Sequence, residues 1–149
     1  MILLNDLSCS EDIILYGINK LISSIIDTPN GKMIKINNST ASPYLSNGSA
    51  GAIKALLSID PQKYQSIIED LSNGITANFA QRPNYWSGML GIADTLLGAY
   101  AMTHNETYIK CSIHLIINSS YYLDSNRLPI NELIPVFNHL DYLTNIDWS

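Results

Sequence analysis

Few side chains in this sequence could do chemistry, and most of them stand beside glycines or on helical stretches. Tyr44 precedes one glycine cluster, Gly48-Ser49-Ala50-Gly51, while Tyr85 and Trp86 precede another, Gly88-Met89-Leu90-Gly91. An aromatic side chain with a polar tip at such a place either seals the end of a helical hairpin or stacks on a bound ligand. Asp94 follows the second cluster, where a carboxylate either complements the dipole of a helix's first turn or faces a cavity. Cys111 and His114 are three apart and share a helix face. They make two ligands of an incomplete metal site, and a cysteine serves equally as a small buried hydrophobe. His104 falls in a turn between helices, where solvent exposure is expected. His139 falls in the last helix, where packing or surface exposure is expected. The acidic residues are scattered, so no carboxylate pair suits glycoside hydrolysis, and Asp141 and Asp147 belong to a solvated helix face. No G-x-S-x-G elbow occurs, and no phosphate-binding glycine loop follows a strand. The residues thus assign no catalytic group, no metal and no cofactor.

The elements that must position these residues read as helices punctuated by Pro, Asn, Gly and Ser. Ile14, Ile18, Leu21, Ile22 and Ile25 follow helical spacing after Ser10, with Glu11 and Asp12 in the first turn, and Thr28-Pro29-Asn30-Gly31 ends that segment. Residues 32–36 (KMIKI) are a short extended candidate, followed by the polar loop NNSTASPYLSN. A helix is predicted from about Ser49 to Ile59. Asp60-Pro61 then caps and starts another, with Tyr64, Ile67, Ile68, Leu71, Ile75 and Phe79 on one stripe. Gly74 weakens that helix without ending the pattern. The loop AQRPNYW leads to a helix from about Ser87 to Met102. Thr103-His104-Asn105-Glu106 has the spacing of a capping box, and the next helix runs to about Tyr122. After Asp124-Ser125-Asn126 a last amphipathic stretch lies near Val136 to Leu143. The expected fold class is all-α, as a single domain over residues 1–149 built of antiparallel helical hairpins.

Internal repetition is the most informative pattern. Pro43, Gly48, Gly51, Leu56 and Leu57 recur forty residues later as Pro83, Gly88, Gly91, Leu96 and Leu97. The two units span about 43–82 and 83–123, each reading as loop, glycine-rich helix start, helix, short turn and second helix. Glycines three apart lie on one helix face and let a neighbouring backbone approach closely. A helix pair of this size cannot bury its apolar face alone and must stack on its neighbours.

Composition narrows the classes further. The chain has 149 residues, enough for one domain that buries about 68–70% of its unfolded surface. Fifteen Asn, seventeen Ser and forty Ile plus Leu, with 14% charged residues, exclude a disordered chain. Eight basic residues, never clustered, against thirteen acidic ones cannot make a footprint for nucleic acid. Cys9 and Cys111 make no disulfide framework. MILLN lacks the features of a secretory signal, and no apolar run reaches eighteen residues. A cytoplasmic protein without a membrane span is expected.

Ser42-Pro43-Tyr44-Leu45 with Gly48-Ser49-Ala50-Gly51 resembles a stretch of the lanthionine synthetase C-like cyclase domain, in the form found in class III and class IV lanthipeptide synthetases. Ser87-Gly88-Met89-Leu90-Gly91-Ile92 resembles the glycine signature of the next repeat, and the likeness covers about Ser42 to Leu123. It implies a partial (α/α) toroid whose inner helices line a cavity for a dehydrated precursor peptide. There a cysteine thiolate adds to dehydroalanine or dehydrobutyrine, which requires an activated thiol and an acid to protonate the enolate. Under this resemblance Tyr44, Tyr85, Trp86 and Asp94 are peptide-binding candidates at the cavity mouth. Zinc-dependent members carry Trp-Cys-Tyr-Gly and Cys-His-Gly segments; here neither cysteine precedes a histidine and Ser87 follows Trp86. The resemblance is therefore to the zinc-independent type. A complete toroid has more hairpins than 149 residues supply, so a portion is implied, completed by another synthetase chain or by a homo-oligomer. The alternatives are a non-catalytic helical-repeat module that binds a peptide or partner chain, and part of a carbohydrate-acting toroid, for which no carboxylate pair is evident.

Overall fold

Apolar spacing and turn residues together set the elements of this chain, seen here in a computed structural model that describes residues 11–38, 40–76, 80–123 and 128–145. MILLN, Cys9, Ser10, Phe79, Asp124-Ser125-Asn126 and Asp147, all assigned above, lie outside the described residues. In chain order the elements are α1 (Glu11–Ser23), β1 (Ile25–Thr28), β2 (Gly31–Lys35), β3 (Ala41–Ser42), α2 (Ser49–Ile59), α3 (Gln65–Gly74), α4 (Met89–Thr103), α5 (Glu106–Ser120) and α6 (Ile130–Asn145).

The fold is mostly helical but not all-α: β1, β2 and β3 form an antiparallel sheet in that order. KMIKI is extended as expected, within β2. The helix expected to reach Ile25 stops at Ser23, where Ser23 and Ser24 hydroxyls donate to the Lys20 carbonyl. Ile25 and Ile26 instead pair with Ile34 and Met33. Thr28-Pro29-Asn30-Gly31 is thus a hairpin turn, closed by Thr28 Oγ1 on the Gly31 carbonyl at 2.6 Å and by Gly31 at φ 119°. A short β-branched run satisfies helical and strand periods alike, and the turn decides between them.

Other boundaries moved for identifiable reasons. Asp60 caps a turn, its carboxylate accepting from Lys63 N at 3.0 Å, and α3 starts only at Gln65. The helix ends at Gly74, a position that must be glycine because a side chain there would strike the Lys32 carbonyl of β2. The capping box does not form around Thr103. Asn105 is the N-cap of α5, its side chain accepting from Thr107 N at 3.0 Å, while His104 closes α4 in the left-handed conformation, φ 56°. The last helix begins at Ile130 and runs through Pro135, which removes one helical hydrogen bond without ending it.

One expected hairpin, α4–α5, is given by its contacts. Ser112 donates to the Ala93 carbonyl and Ser119 to that of Pro83, so α5 runs antiparallel to the unit that contains α4. Leu45 lies against Gly91, Lys54 against Asp94 and Leu57 against Gly98, numbers that rise together and make α2 and α4 parallel neighbours. On the other side Glu132 reaches Tyr85 and His139 reaches Asp94, so α6 also runs parallel to α4. The layer α2–α4–α6 is backed by α3 and α5. Its middle member is buried nearly all round, from Met89 to Leu97 without interruption, as expected of a central helix. Ile53, Leu56, Leu71, Leu90, Leu96, Leu115 and Val136 fill the space between the helices. Each such side chain contributes about 1.5–3 kcal/mol by leaving water.

The repeat is a repeat of backbone geometry. Gly48 has φ −152° and ψ −156°; Gly88 has φ −153° and ψ −164°. The Pro43 carbonyl accepts from Ala50 N at 3.2 Å and the Pro83 carbonyl from Leu90 N at 3.3 Å. A side chain on Gly48 would strike the Ser42 carbonyl, and one on Gly88 that of Arg82; for Gly51 and Gly91 the obstacles are Leu45 and Tyr85. Every partner is displaced by forty residues. The two loops are also joined, Ser46 N donating to the Trp86 carbonyl at 2.9 Å.

Candidate functional site

The only charged residue of α2 is Lys54 and the only charged residue of α4 is Asp94, forty positions apart. Parallel packing of register-matched helices makes them meet, and Lys54 Nζ pairs with Asp94 Oδ2. The loop residue Tyr85 joins them: its hydroxyl donates to Asp94 Oδ2 at 2.5 Å and accepts from Lys54 Nζ at 2.8 Å. From α6, His139 Nδ1 lies 2.7 Å from Asp94 Oδ1. Glu132, two turns earlier on α6, accepts from Tyr85 N at 2.8 Å and fixes the loop. Three helices and one loop therefore converge on a single carboxylate that is only 7% exposed.

Electrostatics follow from that convergence. Burial alone would raise the Asp94 carboxyl, but hydrogen bonds from His139 and Lys54, and the lysine's charge, hold it well below the ordinary carboxylate range. Burial likewise opposes the charge on Lys54, and its contacts with Asp94 outweigh this, leaving the ammonium above its usual value. Burial first, and then the bond to Asp94, push the Tyr85 phenol up. Asp94 is thus an anion at neutral pH and can only accept. Against an ionised Asp94 the tautomer assigned to His139 has Nδ1 donating, and Nε2 is the ring nitrogen that does not face that carboxylate. The His139 side chain is 31% exposed, against 9% for that of Asp94. This arrangement orients an imidazole as a general acid or base.

Of the four residues the sequence suggested, Tyr85 and Asp94 are at the centre. Trp86 is adjacent and 65% exposed, its ring edge-on to Tyr85 with centroids 5.7 Å apart. Tyr44 is not brought in: it is half-buried against the hydrophobic core, with its backbone N–H on Ser42 Oγ. The helix-dipole explanation of Asp94 fails, because Asp94 is the sixth residue of α4 and no acidic residue lies in that helix's first turn. His139 is more than a packing residue, and Lys54 was missed, although a lone lysine in register with a lone aspartate was a readable signal. Cys111 is half-buried, its thiol pushed up by burial, and His114 is exposed. Among the described residues no three of His, Cys, Asp and Glu come together as metal ligands, and no helix is long and apolar enough to cross a membrane. A cleft of about 420 Å³ between α1 and Ile59–Tyr64, lined by apolar and charged side chains, lies away from the cluster.

Comparison of the chain with family models, curated proteins and solved structures finds no match.

Proposed function

We propose that this chain is a lanthionine synthetase C-like domain, a portion of an (α/α) toroid that binds a dehydrated precursor peptide and promotes zinc-independent thiol addition. The observation that carries the reading is the forty-residue hairpin repeat, whose loops, glycines and carbonyl contacts recur in backbone geometry. The parallel layer α2–α4–α6 backed by α3 and α5 is compatible with toroid hairpins. A cytoplasmic location goes with this function.

His139 is the group suited to the proton transfers. With Nδ1 held by Asp94, Nε2 takes the proton of a peptide cysteine. The thiolate forms a bond to the β-carbon of the dehydrated residue, and the alkene pair moves toward the carbonyl as an enolate. The imidazolium returns the proton to the α-carbon. The thiol's sulfur and hydrogen are added across one double bond, with no oxidant or reductant. Lys54 and Tyr85 keep Asp94 ionised and in place, and exposed Trp86 offers a surface on which the peptide stacks.

The test offers purified protein a dehydrated precursor peptide, with and without its partner synthetase chain, and follows free thiol by alkylation and mass. Thiol loss faster than in buffer, abolished by His139→Ala in a folded variant, is expected. A rate equal to the uncatalysed background in both cases overturns the reading.

A second reading, a non-catalytic module that binds a peptide or partner synthetase chain, is favoured by α6, where Ile130, Ile134 and Phe137 form an exposed apolar row. It predicts leader-peptide binding or association by light scattering that His139→Ala leaves unchanged.

A further inference from the structure

From the internal symmetry we infer that the face of α2 turned away from α4 is a docking cleft for an extended peptide carrying a leucine-sized side chain. This stands on the repeat alone and is independent of the chemistry proposed above.

The second unit shows how such a face is covered. On α4, Gly91 is met by the side chain of Leu45, from the loop of the preceding unit, and the next residue of that loop, Ser46, donates its N–H to the Trp86 carbonyl. The second loop is held differently, its Tyr85 N–H donating to the Glu132 carboxylate of α6. The first loop thus docks on the helix of the second unit by one side chain and its flanking backbone.

On α2 the matching surface has no such cover. Gly51 corresponds to Gly91, yet among the described residues only the backbone of its own loop lies within reach of a Cβ there; no foreign side chain does. The carbonyl of Ser46 corresponds to that of Trp86, and no N–H among the described residues donates to it. Between these two unfilled positions lies an open cleft of about 350 Å³, lined by Leu21, Ile34, Leu45, Gly51, Ala52 and Ala55. The sheet and α1 supply its apolar far wall without entering the place that Leu45 takes on α4. The symmetry specifies the occupant: an extended segment whose branched aliphatic side chain enters over Gly51 and whose next residue has a free N–H for Ser46.

The chain's own docking loop is the natural probe. A synthetic peptide of residues 41–47, acetylated and amidated (Ala-Ser-Pro-Tyr-Leu-Ser-Asn), is titrated into the full chain, with backbone amide resonances and fluorescence anisotropy as readouts. Saturable binding is expected, with shifts at Gly51, Ala52 and Ala55. Replacing the peptide leucine by alanine, or N-methylating its second serine, weakens binding on the order of tenfold each. Ala55→Lys, at a half-exposed position of the cleft, abolishes it while the circular dichroism spectrum stays the same. If that variant fails to fold, the two altered peptides still decide the matter. No binding at millimolar peptide, or equal binding of all three peptides, overturns the inference. So does a dimer in sedimentation that Ala55→Lys dissociates without any peptide binding, which would give the cleft to a second copy.

Discussion

Residues 42–51 and 82–91 make matching backbone contacts, yet the two units sit in different surroundings. In the first unit Lys54 keeps 30% of its side chain exposed; in the second Asp94 is enclosed. Leu45 of the first loop packs on a glycine, whereas Tyr85 of the second reaches into the charged cluster. On the outer helices the difference recurs: Ser112 donates to the Ala93 carbonyl, while Ser72, forty residues earlier and equally buried, has no partner for its hydroxyl among the described residues. The matched positions, proline and glycine, build the scaffold. The mismatched positions hold the charged cluster. A repeat can keep its hairpin geometry with a few small or rigid residues and leave its remaining positions free to diverge.

The scaffold side of this comparison is broken most severely by Gly91→Ala, whose new methyl strikes the Tyr85 carbonyl. Overpacking against rigid backbone should remove about 3 kcal/mol, read from the urea midpoint. Gly98→Ala, which meets only a flexible Leu57 methyl at 3.1 Å, should come out near neutral. The chemical side is broken by Asp94→Ala. It leaves the Lys54 ammonium and the Tyr85 hydroxyl without their acceptor and should lower stability by about 2–3 kcal/mol. Lys54→Met with Asp94→Leu should recover most of that loss.

A smaller effect separates the charges from the packing. The folded-state pKa of Asp94 lies below its unfolded value, so its contribution is complete above the unfolded carboxyl pKa, about 3.9, and is lost as pH falls through the folded value. The wild-type chain should therefore lose more stability on acidification from pH 5 to pH 2 than Asp94→Asn, as thermal melts across that range would show. Smallest is the serine pair. Ser112→Ala should cost about 1 kcal/mol through its lost hydrogen bond, and Ser72→Ala should be neutral or slightly stabilising, because its hydroxyl gains nothing by burial. Equal losses at both sites would erase the difference between the units.

How much of this was legible differs by region. The repeat was readable because its matched glycines are the ones that the backbone requires at close contacts, and its matched leucines serve the core. The helix over Ser49–Ile59 was readable to the residue, since Gly48 and Asp60 bracket one apolar period. The first strand was not, because Ile25 and Ile26 continue the spacing of α1 until the Gly31 turn redirects them. The need for glycine at 74 comes from a distant strand, and no local pattern records that. In the site, Tyr85 and Asp94 stood out by position, and Lys54 was encoded in the repeat register. His139 comes from a helix outside the repeat, so only the packing of α6 against α4 brings it to the carboxylate.

The bond from Ser46 N to the Trp86 carbonyl also bears on how the molecule comes apart. It spans the two units at their loops, so separating the units there breaks it, whereas local fraying of α2 or α5 need not. The solvent-exchange rate of that one amide proton then measures the free energy of parting neighbour from neighbour, apart from the energy of unfolding either. If it exchanges with the slowest core amides, the layer opens as one cooperative body; if it exchanges sooner, the hairpins are separable units.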